Sequence, residues 1–117
     1  MIKQSITALA LLTLVAGCAT TDGAASGGLG SMAEPVRADM PPGQRAYLDR
    51  LRCRDGSAPA YSRLGSMGLG QDHHVIDGYE VRCAGQAAAM VHMDMYHPGY
   101  VENRVPAPFT LAASPHE

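Results

Sequence analysis

The sequence predicts an α+β domain. One N-terminal helix packs on a small three-stranded antiparallel sheet, a disulfide locks the two together, and a disordered tether and tail flank them. Three observations predict this. Residues 43–52 place apolar side chains at helical spacing. Residues 79–83 and 90–96 alternate apolar and polar side chains, the period of a half-buried strand. Cys53 and Cys83 are the only cysteines in that region, and one pair in a small domain reads as a disulfide where the compartment is oxidising.

Taken in order, residues 19–34 are mostly Gly, Ala, Ser and Thr, with almost nothing to bury. Such a coil spans on the order of 20–25 Å root-mean-square. The domain is expected over residues 42–102, with residues 18–41 as its tether and 103–117 as an extended tail rich in proline. Asp39 with Pro41 and Pro42 signals a helix entry, because proline is tolerated in a first turn. Tyr47, Leu48 and Leu51 then share one face, while Arg45, Asp49 and Arg52 point away. Asp55-Gly56 is the stop.

A short strand is expected over residues 60–66, weakened by its glycines, and residues 68–72 read as a hairpin loop. Residues 73–84 form the best strand region, with a turn or bulge expected at Asp77-Gly78. Residues 87–97 form the last strand. There Ala89, Val91, Met93 and Met95 fall on one face, and Met90, His92, Asp94 and Tyr96 on the other. Closing the loop between Cys53 and Cys83 stabilises such a fold by roughly 3–4 kcal/mol on the chain-entropy model.

The first residues carry the localisation signal. Lys3 is followed by an apolar run without charge over residues 6–16, then by Val15-Ala16-Gly17-Cys18. That layout is a secretory signal, and the run is too short to cross a bilayer core, which takes about 20 apolar residues. The stretch Val15-Ala16-Gly17-Cys18 resembles the lipobox of bacterial lipoproteins. The resemblance implies a signal peptide over residues 1–17, lipid on the Cys18 sulfur, and Cys18 as mature N-terminus. Ala19, where an Asp usually means inner-membrane retention, implies the outer membrane. Attachment by several acyl chains is stable without a transmembrane helix. The mature part resembles small Gram-negative envelope lipoproteins, a class without shared catalytic residues.

Lys3 is the only lysine, so the mature chain carries 8 Arg against 11 acidic residues. That balance lacks the basic excess of a nucleic-acid binder. Candidate chemistry gathers on His73, His74, His92, Asp94 and His97. His92 and Asp94 point the same way on a strand, about 7 Å apart, and a neighbouring strand bearing His73 or His74 would complete a nitrogen and oxygen shell suited to zinc. The spacing matches no recognised metal motif, and polar residues on a solvated sheet face and in loops account for it without a metal. Met67, Met90, Met93 and Met95 offer soft copper ligands or ordinary core filling. Ser62 and Ser66 lack a nucleophile elbow, so no catalytic residue is expected. Arg50, Arg52 and Arg54 read as a solvated face. The sequence therefore leads to a non-enzymatic protein without cofactor, anchored through Cys18 on the periplasmic face of the outer membrane. It has a structural or protein-binding role, with an envelope protein as partner. The alternative is a periplasmic lipoprotein binding zinc or copper through those histidines and Asp94.

Overall fold

A computed structural model of the chain describes residues 28–113. The signal sequence, Cys18 and the first part of the tether lie outside these residues. The elements are β1 (Val36–Arg37), α1 (Met40–Arg50), β2 (Leu51–Arg52), β3 (Ala60–Leu69), β4 (Val75–Arg82), β5 (Ala89–Asp94) and β6 (Thr110–Leu111).

The expected helix on a three-stranded antiparallel sheet is overturned. The domain is mostly sheet, with a four-stranded sheet in the order β1-β5-β4-β3 and a separate pair β2-β6. β1 joins β5 in parallel, with Val36 opposite Met93. Pro35 and the small residues before it suggest a tether. Yet Val36 is fully buried, and burying it on β5 outweighs the local signal. The tail is likewise structured as far as it is described. Leu111 pairs with Leu51, and Phe109 enters the core.

Helix α1 starts earlier than its apolar pattern, because Pro41 and Pro42 occupy its first turn, where no backbone donor is needed. It ends earlier too. Leu51 turns to extended backbone and hands the chain to β2. Of the expected apolar face, Tyr47 and Leu48 are buried on the helix, and Leu51 is buried just beyond it, in β2. They meet Tyr79 and Val81 of β4, Val91 and Met93 of β5, and Phe109. The core of the described residues, with its flanking apolar side chains, is drawn from residues 29–111. The disulfide Cys53–Cys83 is present, with Cα atoms 5.9 Å apart across 30 residues of chain. It ties the end of β2 to the end of β4.

β4 runs straight through Asp77-Gly78, and the irregularities fall on its partner β3 instead, at two register shifts. Two contacts explain why the turn-forming pair stays extended. A side chain at Gly78 would collide with Met67 from β3. Asp77 is buried, and its carboxylate accepts bonds from Gln44 at 3.0 Å and Arg63 at 2.9 Å. Tyr79 donates its hydroxyl to the same Gln44. This buried polar set is satisfied between α1 and the sheet, as burial requires.

Candidate metal centre

Two segments converge at one end of the sheet. The first is the turn between β3 and β4. Gly70 N–H donates to His74 O at 2.8 Å, and His73 N–H donates to Gly70 O at 3.1 Å. His73 takes a φ of 64°, the left-handed backbone such a tight turn requires. The turn delivers Asp72 and His74.

The second segment is the end of β5 and the residues after it. Ala38 N–H donates to Asp94 O, Met40 N–H to Met95 O, and His97 N–H to Ala38 O. These bonds fix residues 94–97 against the start of α1. Asp39 bridges to Tyr96 in the same place, and its carboxylate accepts Gly99 N–H at 3.0 Å.

Asp94 is the centre of the group. Its side chain is 2% exposed. Oδ1 accepts Tyr96 N–H at 3.0 Å. Oδ2 faces two imidazoles, His74 Nδ1 at 2.8 Å and His97 Nε2 at 2.9 Å. With an oxygen of exposed Asp72, these four ligand atoms all lie within 4.8 Å of one another. Tyr96 packs edge-on against the His74 ring, and Tyr100 against the His97 ring. The tyrosines flank the histidines and restrict how either ring turns.

Burial pushes the Asp94 carboxyl upward. The Tyr96 N–H, His74 and His97 outweigh it and hold the group below the usual carboxylate range. Asp94 is therefore an anion at neutral pH, held by three donors.

The donor set suits a borderline divalent metal. Imidazole nitrogen and carboxylate oxygen are both zinc ligands, with bonds near 2.0–2.2 Å. Neighbouring donors in a tetrahedral shell sit about 3.3 Å apart, from bonds of that length. The two contacts to Oδ2 need to widen by about half an ångström, a shift within side-chain rotation at partly exposed histidines. Copper(I) is a poorer fit, because it favours sulfur. Met93 is buried in the core, exposed Met90 points elsewhere on β5, and Met67 covers Gly78.

Of the residues singled out in the sequence, His74, Asp94 and His97 come together. His92 does not. Its Nδ1 meets Gly30 O at 2.9 Å, beside the first turn of the described chain. His73 is exposed in the turn, outside the group. Asp72 joins His74, Asp94 and His97, although nothing in its residue spacing marks it as a ligand. The one available signal is its place beside His74 in a hairpin turn, which puts both on the same loop. Ser66 accepts the Gly68 N–H in an exposed part of β3.

No family model matches the chain, and no curated protein or solved structure matches it either.

Proposed function

We propose that the protein is a lipid-anchored envelope protein whose domain holds a divalent transition metal, zinc by its donor set, at Asp72, His74, Asp94 and His97. One observation carries this: four ligand atoms of the right types lie within 4.8 Å of one another around a buried carboxylate. His74 and His97 supply nitrogen, Asp94 a pinned oxygen, and Asp72 an oxygen from the solvent side. His74 stays 32% exposed and His97 21%, so a bound ion remains reachable from solvent. That favours reversible loading over a closed structural site.

The test is a zinc titration of the chain from Ala19 onward, followed by calorimetry and native mass. One ion per chain is expected. His74→Ala and His97→Ala should each weaken binding by about 100-fold, as loss of a ligand does at least what loss of its supporting partner does. His92→Ala should leave it unchanged. No uptake at micromolar zinc, or equal loss in His92→Ala, would sink the proposal.

A second reading, a protein-binding module, rests on β3. This strand ends the four-stranded sheet, and Leu64 and Leu69 on it are 49% and 62% exposed. An envelope protein would add a strand along that edge. A proline at an outward-facing position of β3 would then abolish capture of the partner without disturbing zinc.

A further inference from the structure

A groove of about 530 Å³ runs beside α1, on residues that contribute no ligand to the candidate metal centre. Its apolar lining includes Ala38, Ala46, Tyr47, Tyr100, Val101 and Ala112. Ala46, Tyr100 and Val101 are exposed, so apolar surface there meets water. The volume lies within the range of small-molecule sites.

The charges along this groove are unevenly satisfied. Arg37, Arg50 and Arg52 line it, and none of them forms an ion pair among the described residues. Arg50 is 8% exposed. Its guanidinium donates to Ala112 O, Glu102 O and Asn103 Oδ1, three uncharged acceptors. Five donors are available on a guanidinium, so one remains on each terminal nitrogen. Arg52 donates only to the carbonyls of Asp49 and Leu51. The two carboxylates on the groove are engaged away from these cations. Glu102 is held by Arg104 at 2.9 and 3.0 Å, and Asp49 accepts the Tyr61 hydroxyl at 2.7 Å. Buried charges are ordinarily paired, and Arg50 lacks its anion.

We infer that the groove binds a single-chain amphiphilic carboxylate, with its head on the free donors of Arg50 and in the field of Arg52, and its apolar chain along Ala38, Ala46, Tyr100 and Val101. A fatty acid is the simplest such molecule. The head gains charge-assisted bonds from a guanidinium that no carboxylate occupies. The chain covers apolar surface that otherwise meets water. None of the four candidate metal ligands lines this groove, although Tyr100 touches both the groove and His97.

The experiment uses laurate, below its micelle-forming concentration, titrated into the chain from Ala19 onward by calorimetry. Dodecanol is the uncharged comparison. Saturable one-to-one binding is expected, with dodecanol weaker by about tenfold or more, the worth of one charged hydrogen bond. Arg52→Gln should weaken laurate and leave dodecanol unchanged. Ala46→Trp fills the groove from an exposed helix position and should abolish binding while the fold survives by circular dichroism. Equal affinity for dodecanol, or unchanged binding in Ala46→Trp, overturns the inference. Tighter binding of a short peptide acid than of laurate also overturns it, in favour of a protein C-terminus.

Discussion

Breaking the Cys53–Cys83 bridge should cost a large part of the domain's stability. The bridge closes a loop of 30 residues. Restricting the unfolded chain by that loop is worth about 3–4 kcal/mol at 25 °C. Few terms inflate or mask this figure. Cys53 is 4% exposed and Cys83 9%, so reduction leaves two buried thiols that behave as small apolar groups. A domain of this size holds on the order of 5 kcal/mol or somewhat more in total. With about 2.1 cal/mol/K of unfolding entropy per residue over residues 28–113, the midpoint should drop by about 20 °C. The assay is urea unfolding of the chain from Ala19 onward, oxidised and reduced, with Cys53→Ala/Cys83→Ala as a second route. The variant and the reduced protein should agree, and both should show a steeper denaturant dependence as their unfolded chains expand. A loss under 1 kcal/mol would refute the reasoning, because the packing of β2 and β4 would then hold those segments without the covalent link.

Other perturbations probe the core and its charges. Phe109→Ala should cost about 3–5 kcal/mol in urea unfolding, the penalty of a buried aromatic, since Phe109 is 7% exposed within the core. A loss near zero would return the segment to an independent tail. Met93→Ala should cost about 2–5 kcal/mol, because Met93 is fully buried between α1 and the sheet. Burial raises the Glu102 carboxyl, but Arg104 and the Arg37 N–H outweigh it and hold it below the usual range. Its folded pKa lies below its unfolded one, so this stabilisation is full above the unfolded value near 4.3 and is lost as pH falls through the folded value. Urea midpoints from pH 7 to 3 should therefore decline on the acid side, and Glu102→Gln should flatten that decline. An unchanged profile in Glu102→Gln would place the acid sensitivity elsewhere.

What could be read from the sequence was set by how local each signal is. The helical face of Tyr47 and Leu48 and the alternation of Val91 and Met93 are each read within one element, and burial follows both, while Leu51 is buried just past the helix end. The β1–β5 pairing has no such repeat. Two residues after Pro35 become a strand only because the end of β5 offers them a parallel edge. Asp77-Gly78 carries a turn signal, overridden by Gln44, Arg63 and Met67, which lie far away in sequence or on another strand.

The candidate centre follows the same division. Residue types pointed to His74, Asp94 and His97, whereas strand alternation drew in His92, which faces Gly30 instead. Alternation stops applying where β5 ends at Asp94, and the chain there is held by its bonds to Ala38 and Met40. This placement gives Asp94 two separate duties. Its Oδ1 secures the backbone at Tyr96, and its Oδ2 orders both imidazoles. Replacing Asp94 thus disturbs backbone and ligands together, and a loss of metal in Asp94→Asn would carry little meaning by itself. His97 hangs on that backbone through its own N–H, and the hydrogen bond of its ring goes to Asp94. Removing the His97 ring takes away one ligand while the Asp94–Tyr96 bond stays in place. His97→Ala is therefore the substitution that separates a metal site from a hydrogen-bonded corner of the fold.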